Sequence, residues 1–296
     1  MNAKQIILLE IFLIIGIAVG AAITYFYLSK QTPSLFEEEI SIVNIEGEIL
    51  AGYGNYASST KIAEKIKELA DNGRVRAIIL RINSPGGTPA AAQEIVEAIE
   101  YAKSKKPVIA SLGDLATSGA YYIALPCNYI LAEPDTLTGS IGVIWVVEIK
   151  VKKYEEEGVE YFVVKSGKMK DMGASWKNVS SEEKEIMQEI VNKSFQRFLN
   201  EVKIRRNLTD EQIDAIKDGR VILGSDALNM SLIDEIGGLN KAIEVARNMS
   251  KAKTAKERLY LPTEKGYEAV DYLESSPHGY ILSVSYTHLR AHETRH

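Results

Sequence analysis

The residues able to carry acyl-transfer chemistry in this 296-residue chain are serines and lysines, because histidine is missing from its central part. No histidine lies from Ile40 to Pro277, and all four histidines fall in residues 278–296. This excludes a Ser-His-Asp or Cys-His site there unless the tail folds back, and it excludes a zinc hydrolase with histidine ligands. The single cysteine, Cys127, has no partner for a disulfide or a metal site. The base must then be a lysine or a carboxylate, and a lysine serves when burial or a neighbouring group lowers its pKa.

Two segments combine a useful residue type with a useful position. The run N-S-P-G-G-T (Asn83–Thr88) falls between a predicted strand and a predicted helix. Glycines at such a turn let backbone N–H groups approach an oxyanion or a phosphate, although the run is equally typical of a structural turn. Asp114–Tyr122 follows a predicted buried strand. At this place Ser118 would present its hydroxyl at the carboxyl end of the sheet, or it would act only as a helix N-cap.

Two further segments are uninformative when each is taken alone. The run T-G-S-I-G (residues 138–142) contains Ser140 and resembles many ordinary turns. The run V-K-S-G-K-M-K-D (residues 164–171) holds Lys165, Lys168 and Lys170, and a lysine-rich loop is usually a solvated surface. The order and spacing of the four segments therefore carry more information than any one of them.

The elements that must position these segments alternate between strands and helices. Val75–Ile82 is a mostly apolar, β-branched run, which is typical of a strand covered on both faces. This alternation predicts parallel pairing, right-handed crossovers and an α/β fold. The other predicted strands are Ile40–Ile45, Pro107–Leu112 and Tyr129–Ala132, and the predicted helices are Ser59–Ala70, Ala90–Lys103, Asp210–Lys217 and Leu239–Met249.

A long amphipathic helix is predicted from Ser181 to Ile204. Ser180 and Glu183 have the S-x-x-E spacing of a capping box at its start. Its apolar positions predict packing in the core or between subunits rather than a ligand site. These positions are Ile186, Ile190, Phe195 and Phe198.

The N-terminal residues predict an uncleaved membrane anchor. Ile11–Leu28 is an uncharged stretch of 18 residues, close to the length of about 20 that crosses a bilayer. Aromatic residues at 25–27 suit the membrane interface, and the few flanking charges favour a cytoplasmic N-terminus. We therefore expect a single-pass protein of the cell membrane with an extracytoplasmic catalytic domain.

The remaining composition sets the expected domains and excludes one class of partner. The net charge is −5 and no dense Lys/Arg patch occurs, so a nucleic-acid partner is not expected. The histidine-rich C-terminus has neither a predicted fold nor carboxylate clusters, and we interpret it as a non-native tail. The predicted division is an anchor at 1–30, a linker at 31–39, a catalytic α/β domain at 40–255, an extension at 256–277 and the tail at 278–296.

Taken in order, the four segments resemble the signal peptide peptidase A family of Ser-Lys serine proteases. The matching motifs are N-S-P-G-G, T-S-G-A-Y-Y, T-G-S-I-G-V and K-S-G-K-x-K-D, followed by Asp218–Val221, Ala227 and Leu232–Asp234, and they cover roughly residues 40 to 250. The resemblance implies the spiral of ββα repeats that this family shares with Clp-type proteases and crotonases. One departure is Met169, where the family usually has tyrosine.

The resemblance also implies a role for each site residue. It implies that Ser118 is the nucleophile, that Lys170 is the general base and that Ser140 orients the lysine. The backbone N–H groups of Gly87 and Gly119 would form the oxyanion hole. Lys168 and Lys165 remain competing assignments for the base.

The implied function is the degradation of remnant signal peptides, or other apolar peptides, at the membrane and without a cofactor. The resemblance further implies a homo-oligomer whose dyads are shared between subunits. The nearest alternative is a membrane serine protease of the stomatin-cleaving type. Two other classes are a crotonase-like acyl-CoA enzyme, which would not need Ser118, and a non-catalytic scaffold.

Overall fold

The computed structural model describes the region that carries all four segments. The described residues are Asn2, 14–21, Thr24, 37–52, Gly54 and 56–272. The predicted tail at 278–296 lies outside them, as do most of the predicted anchor and linker. Residues 14–21 are helical and form the described part of α1. Within the described ranges, no helix has both the length and the apolar character needed to cross a membrane.

Strands and helices alternate along the chain as the sequence predicts. The strands are β1 (Glu39–Glu46), β2 (Ile49–Leu50), β3 (Ala57–Ser58), β4 (Val75–Ser84), β5 (Val108–Thr117), β6 (Tyr129–Ala132), β7 (Leu137–Gly139), β8 (Val221–Leu223), β9 (Glu235–Ile236), β10 (Lys256–Thr263) and β11 (Gly266–Asp271). The helices after α1 are α2 (Ser59–Asp71), α3 (Pro89–Lys103), α4 (Gly119–Ala124), α5 (Val151–Glu156), α6 (Ser181–Arg206), α7 (Asp210–Asp214), α8 (Gly224–Asn229) and α9 (Leu239–Ser250).

The main sheet is largely parallel and is covered on both faces. Its strand order is β11-β10-β1-β4-β5-β6-β9, and β7 pairs with both β5 and β8. Along β4, Ile78 and Leu80 pack in one apolar cluster while Ala77 and Ile79 pack in another. Successive side chains of a strand point to opposite faces, so the two clusters lie on the two sides of the sheet. This double burial explains the continuous apolar run in the sequence.

The C-terminal hairpin belongs to the same sheet. β10 pairs with β1 in parallel, and β11 returns antiparallel to β10. Tyr260 of β10 donates a hydrogen bond to the buried Glu39 carboxylate at 2.9 Å. The domain boundary predicted at residue 255 stays a prediction, but residues 256–271 continue the sheet of the catalytic region.

The long helix α6 begins at the predicted residue. Ser180 Oγ accepts a hydrogen bond from Glu183 N at 3.2 Å, and the Glu183 carboxylate accepts one from Ser180 N at 2.8 Å. The predicted capping box is thereby confirmed. Phe198, Leu199 and Val202 are buried, so the C-terminal half of the helix is anchored to the core.

Candidate active site

The candidate residues lie at the carboxyl ends of three neighbouring strands. Ser84 at the end of β4 pairs with Ala116 of β5, and Thr117 of β5 pairs with Gly139 of β7. The glycine turn, Ser118 and Ser140 each follow directly on one of these strands. Parallel pairing in this register brings three of the four predicted segments to one edge of the sheet.

Ser118 occupies a sharp turn between β5 and α4. Its backbone has φ 52° and ψ −123°, a region sparsely populated by residues other than glycine, at a cost of order 1–3 kcal/mol. The Ser118 N–H donates to Gly139 O at 2.9 Å, and its carbonyl accepts from Tyr122 N at 2.9 Å. The side chain makes no capping hydrogen bond, so the hydroxyl is left available at the start of the helix.

The glycine turn is held against β2 by backbone hydrogen bonds. Ile49 N donates to Gly86 O at 2.8 Å, and Thr88 N donates to Ile49 O at 3.0 Å. Since these neighbours of Gly87 face β2, the Gly87 N–H faces away from it, towards α4. A Cβ on Gly119 would lie 3.1 Å from Gly87 N, so the two peptide groups are adjacent.

The N–H groups of Gly87 and Gly119 are a pair of neighbouring backbone donors beside Ser118. Gly119 is the first residue of α4, where a backbone N–H has no acceptor within the helix. Gly87 N lies beside it on a loop that is fixed by β2. Two preorganised backbone donors next to a serine hydroxyl are what stabilisation of a tetrahedral oxyanion requires.

The helix that carries the turn is tied to a distant part of the chain. The hydroxyl of the buried Tyr121 donates to Leu232 O at 2.7 Å, and burial raises the pKa of Tyr121. Asp234 forms an ion pair with Arg206 of α6 at 2.9 Å and also accepts from Ile130 N at 2.7 Å. The Leu232–Asp234 motif therefore supports α4 and β6 rather than the reacting atoms.

Ser140 also has a left-handed backbone, with φ 49°. It follows Gly139, which has φ 72°, and its N–H donates to Arg220 O at 2.9 Å. Arg220 is held in turn by an ion pair with Asp218. The D-G-R-V motif therefore fixes the backbone that carries Ser140.

A cavity of about 630 Å³ opens beside these residues. Ser118, Gly119, Gly87 and Ser140 line one side. Helix α6 contributes apolar side chains to its lining, including Phe195 and the largely buried Phe198. Phe198 lies in the core and Phe195 packs against it, which agrees with the packing predicted for this helical face. The sequence could not show that the helix also borders this cavity.

Lys170 lies away from this cavity. It is exposed and is not among the lining residues. It belongs to residues 143–178, which we call the arm; no residue of the arm is buried. Among the described residues, no hydrogen bond joins Lys170 Nζ to Ser118 or to Ser140, so the fold of one chain brings together Ser118, Gly87, Gly119 and Ser140 but not Lys170.

The three candidate lysines of the arm differ in their partners. Lys165 Nζ donates to Asp171 Oδ1 at 2.7 Å, and Lys168 forms an ion pair with Glu182. Lys170 Nζ has no ionic or hydrogen-bonding partner among the described residues. A general base needs a nitrogen lone pair, and an amine that is paired with a carboxylate is held in its protonated form. This difference favours Lys170 over Lys165 and Lys168 as the base.

The carboxylate partners of Lys165 and Lys177 were not predicted from the sequence. Asp171 pairs with both Lys165 and Lys177, and Lys177 also pairs with Glu183. The available signal was the predicted capping box, because it places a Glu183 carboxylate at the start of α6, next to the arm.

The chain matches two family models. The model of peptidase family S49 matches residues 100–253, and the model of Clp protease matches residues 39–129. Protease 4 of Salmonella typhi is 35% identical over 236 residues, which are 78% of this chain and 38% of that protein. The chloroplastic serine protease SPPA of Arabidopsis thaliana is 34% identical over 217 residues, which are 71% of this chain and 32% of that protein. The chain thus spans about a third of the length of these two relatives.

A solved structure with a similar fold is the 1510-N membrane-bound stomatin-specific protease, in a mutant form with a substrate peptide. The similarity has a TM-score of 0.51 and covers 78% of this chain and 95% of that chain, with 18% sequence identity. This comparison shows a shared fold and, together with the Clp protease match, places the chain in a Clp-protease-like α/β architecture.

Proposed function

As the chain belongs to peptidase family S49, we propose that it is a membrane-anchored serine endopeptidase that degrades remnant signal peptides after their release. The observation that carries this proposal is the strained Ser118 beside two backbone N–H donors at a cavity whose lining includes the apolar side chains of Phe195 and Phe198. The 18-residue apolar stretch in the N-terminal region supports the membrane anchor, which would hold the site close to apolar peptides.

The proposed reaction uses Ser118 and Lys170 as a dyad. Neutral Lys170 Nζ takes the proton of Ser118 Oγ while Oγ bonds to the scissile carbonyl carbon. The carbonyl oxygen becomes an oxyanion that the N–H groups of Gly87 and Gly119 stabilise. Lys170 then gives the proton to the leaving amine as the C–N bond breaks, which leaves an ester on Ser118. Water then attacks the ester carbon while Lys170 takes a proton from it. The C–Oγ bond breaks, the acyl product leaves as a carboxylic acid and Ser118 Oγ regains the proton from Lys170. Throughout, Ser140 would orient the lysine.

We further propose that Lys170 of one subunit completes the site of its neighbour. The arm exposes large apolar side chains that a monomer would leave in water: the exposed fractions of Phe162, Ile144, Val164 and Val146 are 95%, 86%, 85% and 79%. Exposure of several large apolar side chains within one segment is typical of a protein–protein interface. A second copy packed on the arm would bury these residues and could bring Lys170 to a neighbouring Ser118.

A mixture of two inactive variants tests the shared dyad. Random mixing of Ser118→Ala and Lys170→Ala chains pairs an intact serine with an intact lysine at about a quarter of the sites in a homo-oligomer. Peptidase activity should therefore return towards that fraction of the wild-type rate when the two variants are co-assembled. Each variant alone is the control, and mixed oligomers are verified by two different affinity tags. Zero recovery in such oligomers would refute sharing.

A choice between two peptides tests the substrate class. The full chain in detergent should cleave a synthetic signal peptide with a kcat/KM at least about tenfold above that for a stomatin C-terminal peptide, because Phe195, Phe198 and Ile141 give its cavity an apolar part that can hold apolar side chains. The products are identified by mass spectrometry, with Ser118→Ala as the control for contaminating proteases. Preferential cleavage of the stomatin peptide would support the alternative instead.

A further inference from the structure

Successive ion pairs join three charged side chains of the arm, Lys165, Asp171 and Lys177, to Glu183 of α6. Lys165 Nζ donates to Asp171 Oδ1 at 2.7 Å, and Lys177 Nζ donates to the same oxygen at 2.7 Å. Lys177 Nζ also donates to Glu183 Oε1 at 2.6 Å. The Asp171 and Glu183 side chains are only 10% and 3% exposed, although the arm around them is open to solvent.

The hydrogen bonds of Lys165 bracket Lys170 in the sequence. Lys165 Nζ donates both to Lys168 O at 2.9 Å and to the Asp171 carboxylate, so it ties together the residues on either side of Lys170. The Lys170 N–H closes a turn by donating to Gly167 O at 3.1 Å. The backbone of Lys170 is therefore held at both ends while its side chain stays unengaged.

The ion pair between Lys177 and Glu183 anchors the loop that carries Lys170 to helix α6. Glu183 lies in the first turn of α6 and forms the capping box with Ser180. A carboxylate in this place is also favoured by the helix dipole. The ion pairs thus connect the Lys170 loop to a 26-residue helix whose far half packs in the core.

The charges are stable under the conditions that a lysine base needs. Lys165 and then Lys177 lower the pKa of Asp171 to about 2, and Lys177 lowers the pKa of Glu183. Because both carboxyl pKa values are lowered, their stabilising contribution is fully present above the ordinary carboxyl range and is lost as pH falls below it, for Asp171 as pH falls through about 2. Asp171 and Glu183 in turn raise the pKa of Lys177, so it stays charged into the alkaline range.

We propose that Asp171, held by Lys165 and Lys177, is a positioning residue that sets the placement of Lys170 for proton transfer. This inference rests on the proposed Ser118–Lys170 chemistry and assigns Lys165 a structural role rather than that of the base. Proton transfer requires near contact between donor and acceptor, and a misplacement of about 1 Å can cost about a hundredfold in rate.

The test measures kcat and KM separately for substitutions in the full chain. Asp171→Asn should lower kcat by about a hundredfold with little change in KM, because the substrate groove is intact while the base is displaced. Asp171→Glu should restore part of the rate. Lys165→Arg keeps the charge and the donors and should stay within about threefold of wild type, whereas Lys165→Met should lose rate as Asp171→Asn does. The matched control is Lys168→Met, which removes a more exposed ion pair of the same loop and should have little effect.

The outcomes separate this inference from the proposed function. An unchanged kcat in both Asp171→Asn and Lys165→Met, with Lys170→Arg inactive, would overturn the positioning role and leave the dyad in place. Loss of activity in Lys165→Arg with retained activity in Lys170→Arg would make Lys165 the base and overturn both. If Asp171→Asn does not fold, as judged by circular dichroism, the Lys165→Arg and Lys165→Met pair decides the question.

Discussion

Replacement of Lys170 by arginine should abolish peptide hydrolysis, with a fall in kcat/KM of at least about a thousandfold. Arginine keeps the positive charge and similar length, but its guanidinium stays protonated and cannot accept the Ser118 proton. Ser118→Ala should cause a loss of the same order, and the double variant should be no worse than either single one, because the two residues act as a unit. In the wild type, an ammonium must lose its proton before it can act as base. The rate should therefore rise from neutral towards alkaline pH.

The measurement is a steady-state assay on a fluorogenic peptide over this pH range. The control is Lys168→Arg, the same substitution two residues away, which should keep both the rate and the pH profile. Labelling of Ser118 by a fluorophosphonate probe separately reports an activated hydroxyl. A Lys170→Arg protein with substantial activity, or a wild-type rate that is highest in acid, would show that this lysine is not the base.

Substitution of Gly86 by alanine should lower kcat by at least about a hundredfold, the usual cost of losing an oxyanion donor. Gly86 has φ +100°, and a Cβ there would lie 2.6 Å from Gly119 N and 2.9 Å from Thr117 O. Both atoms belong to backbone, so the loop must move away from Ser118 and take the Gly87 N–H with it. The substrate pocket is otherwise retained, and the effect should appear mainly in kcat.

Gly47→Ala is the matched control for this substitution. Gly47 also has a positive φ, +84°, but a Cβ there meets nothing within 4 Å. Both variants should lose stability through left-handed strain, of about 1–2 kcal/mol, and only Gly86→Ala should lose catalysis. Thermal unfolding and kcat are measured for both. If a folded Gly86→Ala protein kept most of the wild-type kcat, the assignment of the oxyanion hole would be wrong.

Much of the fold could be predicted because its signals are local. The apolar run at Val75–Ile82 became β4, and the Ser180–Glu183 spacing became the observed capping box. The end of β5 was not predicted. The sequence indicated a strand ending at Leu112, but β5 continues to Thr117, since Leu115–Thr117 pair with β7. Pairing with a strand more than 20 residues away leaves no local pattern.

The candidate site, like the fold, could be predicted from the sequence only in part. The absence of histidine from Ile40 to Pro277 excluded an imidazole base, and the turn chemistry of the segments at 83–88 and 114–122 placed their glycines and Ser118 at strand ends. The ion pairs of the arm could not be predicted from the sequence, because they join side chains six residues apart, and Lys165, Asp171 and Lys177 belong to no helix or strand whose periodicity would indicate the pairing.

The sequence by itself determined which residue types are available for acyl transfer, and it determined the alternation of strands and helices that carries them. These follow from composition and from short-range periodicity. Only the tertiary structure decided that Ser118, Gly87, Gly119 and Ser140 meet at one cavity while Lys170 stands apart on an exposed arm. The physical reason is that the register of the sheet and the packing of α6 beside it depend on which distant segments come together, and no local run of residues encodes that.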